Sequence, residues 1–188
     1  YHAIMAGGFS LIAPSLEYAK ASAKPPKFYL DKHEDTLTTS LSYSKLLDKA
    51  TSKLVSLADN NANKLLYVAK CLDKNSISYT KSTPTDQVYK NMREYINAEG
   101  VEKIKQKAAE SFLRTSEMSM EDLKLKAIVK DATFLKLVQF QSDGLIHKSD
   151  SGEILGRTSE DVIEYLKNPL NQDILEDLQS KTETFFNK

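Results

Sequence analysis

The chain has 188 residues and a mass of 21.1 kDa, which is enough for one domain, or two small ones, with a real hydrophobic core. Apolar residues make up 40% and charged residues 28%, a balance that excludes an intrinsically disordered chain and an ordinary membrane protein. Lysine plus arginine equals aspartate plus glutamate at 26 each, so the overall charge gives no argument for a dedicated nucleic-acid-binding protein.

Cys71 is the single cysteine, which excludes an intramolecular disulfide and a cysteine-based zinc site. The cysteine count is typical of the cytoplasm or another reducing compartment, and secretion stays open. Cys71 lies where a helix would bury it, which favours an inert thiol over a catalytic one. We expect no cofactor and no metal ion.

Residues 1–30 are interpreted as an apolar N-terminal arm. The uncharged stretch over residues 3–13 is far shorter than the roughly 20 apolar residues that span a bilayer. No lysine or arginine precedes it, which argues against a secretory signal peptide. The chain begins with Tyr1 and not Met, so we expect a fragment, a processed product or an incomplete subunit.

An apolar arm must be covered by something. We expect it to dock on protein, either on this domain or on a neighbouring subunit, with a lipid surface as the alternative. The residues expected to contact a partner are Ile4, Met5, Phe9, Leu11 and Ile12.

A regular apolar pattern from Tyr43 to Leu72 predicts a long helix. Apolar or small residues recur there at steps of three, four or seven, which places them on one side of a helix. The pattern keeps its phase across Asp59-Asn60-Asn61, although this tripeptide is typical of a loop. We therefore predict one long helix over about 36–74, or two nearly collinear helices.

The helix predicted from Val101 onward carries a row of basic residues on its polar side. Lys103, Lys107 and Arg114 recur at spacings of four and seven, and Glu110 interrupts them. This row is a candidate anion-binding surface for lipid or nucleic acid. A simple solvated helix face explains the same pattern and is the favoured interpretation.

Ser119 predicts the start of a helix that is apolar on nearly all sides and therefore belongs at the centre of the fold. We interpret residues 135–141 as the end of this helix, with a strand as the alternative. Asp143-Gly144 and Ser151-Gly152 bracket a short apolar segment, and a second short apolar segment follows at 153–156. This arrangement predicts a β-hairpin over 144–156.

These patterns together predict a mainly α protein: a helical bundle with one long helix and a small β-hairpin or short meander near residues 135–156. We expect a single helical domain over 31–188, in which Thr158 begins a further helix. Residues 1–149 hold 22 basic and 17 acidic side chains, whereas residues 150–188 hold 4 and 9. We attribute this asymmetry mainly to complementary contacts within the protein.

The sequence offers few groups for chemistry. His33 lies among acidic residues over 31–35, and a helix start explains this cluster better than a metal site with one imidazole does. Asp143, His147 and Asp150 form the better candidate, because a hairpin can bring both of its turns near one side chain. A polar hairpin surface is the default interpretation of these three residues. The usual phosphate-loop, dinucleotide, nucleophile-elbow and zinc-protease motifs are absent from the sequence.

The leading hypothesis is a noncatalytic helical protein–protein interaction or scaffold domain, a subunit or fragment of a larger assembly. Its partner is expected to be another protein subunit, contacted through the arm at 1–30 or the long helix. The first alternative is a basic-faced module that binds anionic lipid or nucleic acid. The second alternative is a hydrolase or transferase with an unfamiliar site around His147.

Overall fold

Helices make up most of the described chain, and the predicted mainly α class is confirmed. The computed structural model describes residues 12–13, 20, 28–29, 33–74, 78–97 and 102–187. These ranges contain seven α-helices and a three-stranded antiparallel sheet. Among the helices in these ranges, none has the length and apolar character needed to cross a membrane. The chain divides into two compact units, Tyr1–Lys45 and Leu46–Lys188.

The first unit contains a short parallel strand pair. Strand β1 (Ile12–Ala13) pairs with β2 (Phe28–Tyr29), with Ile12 opposite Phe28. Ile12 is thus the one predicted partner-contact residue within the described ranges, where its backbone belongs to β1. The others lie outside the described residues: Ile4, Met5, Phe9 and Leu11. An arm that ends near residue 30 stays a prediction.

Two helices occupy the range for which we predicted a long helix or two helices. Helix α1 spans His33–Asn60 and α2 spans Ala62–Leu72. Asn61 lies between them and caps α2, because its side-chain oxygen accepts a hydrogen bond from the Lys64 backbone N–H at 3.0 Å. The Asn61 N–H itself donates to the Leu57 carbonyl in the helical manner. The interruption spans one residue, which explains why the apolar pattern keeps its phase.

The first of two apolar clusters lies among four helices and the second half of α1. Helix α2 contacts α3 (Thr85–Ile96), α4 (Glu102–Glu117) and α5 (Met120–Phe134). A fully buried aromatic ring and several aliphatic side chains fill the space between them, including Leu54, Leu65, Val68, Ile96, Phe112 and Leu123. Burying each such side chain stabilises the fold by about 1.5–3 kcal/mol relative to leaving it in water.

The interpretation of residues 135–141 as helix is wrong. Helix α5 ends at Phe134, and β3 (Val138–Phe140) follows it. Strand β3 pairs antiparallel with β4 (Ile146–Lys148), and β4 pairs with β5 (Ile154–Gly156). The backbone groups of β3 therefore find partners across the sheet, a long-range gain that outweighs continuation of the helix. The predicted hairpin is confirmed as β4 and β5 of this meander.

The second apolar cluster joins the sheet to the last two helices. Helix α6 spans Ser159–Lys167, a single 3₁₀ turn covers Pro169–Asn171, and α7 spans Gln172–Phe186. Helix α5 supplies buried side chains to both clusters, in accordance with its all-round apolar pattern. The buried members of the second cluster are Leu125, Val129, Ala132, Val138, Leu155, Val162, Leu166 and Leu178.

The predicted starts of α5 and α6 are confirmed by their caps. The Ser119 hydroxyl accepts a hydrogen bond from the Asp122 backbone N–H at 3.0 Å. The Thr158 hydroxyl accepts from the Asp161 N–H, and the Asp161 carboxylate accepts in return from the Thr158 N–H. This reciprocal pair satisfies N–H groups that a helix start otherwise leaves without partners.

Candidate functional site: a lysine-lined groove

An open groove of about 440 Å³ lies between α5 and α6 and reaches the end of α2. One wall comes from α5, where the lining residues recur at the spacing of a single helix face. The first turn and a half of α6 supply the second wall, and the residues around the end of α2 close one end. The lining residues are Cys71, Lys74, Lys126, Val129, Lys130, Thr133, Phe134, Ser159, Glu160 and Ile163.

The groove has an apolar part that is only partly covered. Val129 is buried and belongs to the second cluster, and Ile163 packs against that cluster. Phe134, the last residue of α5, keeps 47% of its surface exposed. A half-exposed phenyl ring beside a concavity is a place where an apolar ligand group can gain contact area.

Lys130 serves the fold as well as the groove. Its Nζ donates to the carbonyl oxygens of Lys70 at 3.1 Å and Cys71 at 3.2 Å, and also to the carbonyl of Asp73. These carbonyls belong to the C-terminal end of α2, where a positive charge complements the helix dipole. Burial lowers the pKa of Lys130, an effect that nearby Asp73 opposes. We therefore assign Lys130 to positioning α2 against α5.

Lys74 and Lys126 differ from Lys130. Within the described ranges neither of them takes part in an ion pair. Glu160 is the single carboxylate in the lining, against three lysines. The described lining therefore carries a positive charge, and within the described ranges no ion pair occupies the ammonium groups of Lys74 and Lys126.

Cys71 is an inert wall of the groove. Burial raises its thiol pKa to about 11, although the nearby lysines oppose this shift. The Sγ atom lies 3.5 Å from the Leu123 carbonyl oxygen and donates to it. A thiol with this pKa is protonated at neutral pH, so the expectation of an inert, buried cysteine agrees with its surroundings.

A second cavity, of about 170 Å³, lies on the other side of α5 and is built around a buried ion pair. Lys70 Nζ lies 3.0 Å from Asp131 Oδ2, 4.1 Å from the centre of the Phe186 ring and 3.4 Å from the Tyr79 carbonyl oxygen. Burial raises the pKa of Asp131, and Lys70 opposes the rise. The ammonium group is surrounded by partners, which favours a structural role for the pair.

The hairpin brings together two of the three residues proposed for an enzyme site. His147 Nε2 lies 2.8 Å from Asp143 Oδ2, and Nδ1 lies 3.0 Å from the Gly152 carbonyl oxygen. The Gly152 carbonyl, followed by Asp143, raises the pKa of His147. Asp150 does not join this pair, since its carboxylate binds the ammonium groups of Lys148 and of a lysine on α7. The hydrolase or transferase hypothesis required all three side chains in one cavity.

Asp150 instead belongs to a charge network between the hairpin and α7. Asp150 and Asp177 each accept from both Lys148 and Lys181, over distances of 2.8–2.9 Å. The Lys148–Asp177 contact joins the basic body to the acidic C-terminal part of the chain. This is the kind of internal complementarity to which we attributed the uneven charge.

The basic row on α4 is exposed. Lys107 and Arg114 lie two turns apart on this helix, so they share a side, and both are exposed. Lys103 belongs to α4, but its side chain lies outside the described residues. Glu110, the interrupting acid, accepts a hydrogen bond from Gln106 at 2.9 Å.

No metal site appears among the residues that the structure describes, where no three side chains of histidine, cysteine, aspartate or glutamate converge. His33 is the first residue of α1, which fits a role of this acidic segment at a helix start. The groove itself was missed by sequence reasoning. Lys126 and Lys130 have the i, i+4 spacing that marks one helix face, but nothing in the sequence brings Lys74 to them.

Comparison with protein-family models, curated proteins and solved structures finds no match to this chain. The chain's own residues therefore carry every functional inference.

Proposed function

We propose that this chain is a noncatalytic helical interaction domain, a subunit or fragment of a larger assembly that contacts another protein subunit through its longest helix. The observation that carries this proposal is the exposure of Leu41, whose side chain on α1 keeps 61% of its surface in solvent. The same helix buries Ala50 and Leu54 completely in the first cluster. Helix α1 therefore packs into the core at Ala50 and Leu54, whereas Leu41 is exposed to solvent.

The geometry of α1 suits a helical contact. Its 28 residues extend over about 42 Å. Val55, farther along the same helix, is 40% exposed. Exposed apolar side chains on a long helix are suited to packing against a second helix.

Sedimentation velocity over a range of protein concentrations tests this proposal. We expect the 188-residue chain to associate as its concentration rises, and Leu41→Glu to shift it toward the monomer. Ser42→Glu is the matched control, since it adds the same charge at the neighbouring exposed position and should leave association unchanged. An unsubstituted chain that stays monomeric, with solubility unaffected by Leu41→Glu, contradicts the proposal.

The second candidate function is binding of anionic lipid or nucleic acid through α4. The exposed pair Lys107 and Arg114 supports it, because within the described ranges neither side chain forms an ion pair. Binding to a labelled single-stranded oligonucleotide and to phosphatidylserine vesicles is to be measured at low and high salt. A contact of this kind weakens steeply with salt, whereas an apolar subunit contact changes little. Unchanged binding in a Lys107→Gln, Arg114→Gln variant would exclude this surface.

A further inference from the structure

We propose that the groove between α5 and α6 binds an amphiphilic anion, a single carboxylate or phosphate group attached to an apolar chain. The volume of about 440 Å³ falls within the range of roughly 300–1,000 Å³ that small-molecule sites occupy. The site is separate in its residues from the α1 and α4 surfaces discussed above, so its test is independent of theirs.

The charged end of this ligand is specified by Lys74 and Lys126. Lys130, the third lysine, is already engaged with the carbonyl groups at the end of α2. Glu160 and Asp73, which lies beside Lys130, each offset one of the three positive charges, so one net positive charge remains in the groove. Ammonium groups bind carboxylate and phosphate oxygens through charge-assisted hydrogen bonds, which are stronger than neutral ones.

The N-terminal end of α6 contributes little to binding of the anion beyond its helix dipole. Its first turn faces the groove through Ser159 and Glu160, but the N–H groups of Thr158 and Asp161 already have partners in the capping box. The two lysines are therefore the groups that hold the anion. This assignment makes their removal the sharpest test of the charged end.

The apolar end of the ligand is specified by Phe134 and Ile163. Phe134 is 47% exposed and Ile163 is partly buried against the second cluster. A ligand chain that covers them removes apolar surface from water, at about 25 cal/mol per Å². An inorganic anion leaves this surface wet, and an uncharged chain leaves the lysines without a partner. An amphiphile satisfies both halves of the groove.

Decanoate, used below its micelle concentration, is the probe for this site. Binding is to be followed in the 188-residue chain through the ¹³C-methyl resonances of Val129 and Ile163, with Val88 of α3, which does not line the groove, as the internal reference. We expect saturable shifts at the two groove methyls and none at Val88. 1-Decanol should bind at least about tenfold more weakly, because it lacks the charge that the lysines recognise. Acetate and inorganic phosphate should give no saturable shift.

Two variants separate the halves of the site. Lys74→Gln combined with Lys126→Gln should weaken decanoate binding by about tenfold or more, while Lys90→Gln on α3, the loss of a single charge outside the lining, should not. Phe134→Ser, at a half-exposed position, should weaken decanoate and decanol alike. Decyl phosphate tests whether the headgroup is a carboxylate or a phosphate, and either result supports the site.

Several outcomes overturn the proposal. Decanol that binds as tightly as decanoate reduces the site to an apolar pocket, and phosphate that binds as tightly reduces it to an anion site. Equal shifts at Val88 and Ile163 indicate detergent action. Binding to phosphatidic acid vesicles without binding to decanoate assigns the lysines to a membrane surface.

Discussion

Lys70 and Asp131 form a salt bridge in the interior of the second unit, with 3% and 8% of their side chains exposed and 3.0 Å between Nζ and Oδ2. The Phe186 ring covers the ammonium group. Such a pair adds little net stability when intact, because desolvation offsets the attraction, but breaking it leaves one charge buried without a counter-charge.

Asp131→Ala should therefore lower the free energy of unfolding by about 3 kcal/mol. Urea denaturation followed by circular dichroism measures the loss. The double variant Lys70→Met, Asp131→Leu removes both charges and keeps the volume, so it should be clearly more stable than Asp131→Ala. Equal losses in the single and double variants would show that side-chain packing, and not the lost counter-charge of Lys70, sets the effect.

Gly156→Ala should lower the free energy of unfolding by about 2 kcal/mol, because the new methyl group meets a fixed part of α6. A Cβ atom at Gly156 would lie 2.5 Å from the Asp161 Cβ and 3.2 Å from its carbonyl carbon. Asp161 also completes the capping box of α6 with Thr158, so a shift there weakens the cap.

Gly144→Ala is the matched comparison. Nothing lies within 4 Å of a Cβ atom at Gly144, whose φ is +79°, so the cost there is conformational and about 1 kcal/mol. A smaller loss at Gly156 than at Gly144 would argue against the close approach of β5 and α6.

His147 should titrate above its usual pKa of 6.5, a shift to be measured from its ring proton resonances. Both ring nitrogens face acceptors, so only the doubly protonated imidazolium satisfies both of them. Because the folded-state pKa is raised, this contribution to stability is fully present below about pH 6.5. It is lost as the pH rises through the raised pKa.

Asp143→Asn should move the His147 pKa back toward its usual value, since it removes the partner carboxylate. Asp150→Asn is the control, because that carboxylate binds Lys148 and Lys181 and not the imidazole. A larger effect from Asp150 would mean that the hairpin in solution brings Asp150, and not Asp143, to His147.

Cys71 should react slowly with iodoacetamide at neutral pH in the folded protein. Its pKa of about 11 compares with an ordinary value of 9.0, so the reactive thiolate is about a hundredfold scarcer than in a free cysteine. Mass spectrometry of timed samples measures the rate, and urea should raise it to that of an unfolded peptide. Fast alkylation in native buffer would contradict the burial of this thiol.

Local signals predicted much of the helical architecture. Ser119 and Thr158 mark the starts of α5 and α6 because a short hydroxyl side chain can satisfy N–H groups that are close in sequence. The break at Asn61 left no trace in the apolar pattern, since it interrupts one residue only. Strand β3 depends on pairing with β4, where Phe140 lies opposite Ile146, and no local pattern specifies that partner.

The groove depends on tertiary structure to a still greater degree. Lys74 and Lys126 are separated by fifty-two positions, and only the packing of α2 on α5 brings them to one concavity. The buried position of Lys70 was equally inaccessible from sequence, because a lysine in a helix usually points to solvent. Its burial depends on Asp131, which is far away along the chain.

Helix α5 turns Leu123 toward one apolar cluster and Val129 toward the other. Loss of either cluster would expose the apolar residues on one side of this helix to water. The stabilities of the two clusters are therefore coupled. The amide protons of α5 are accordingly expected to exchange with deuterium only when residues 46–188 unfold as a whole, more slowly than those of α3. Every ligand held in the groove would, by mass action, slow that same global opening.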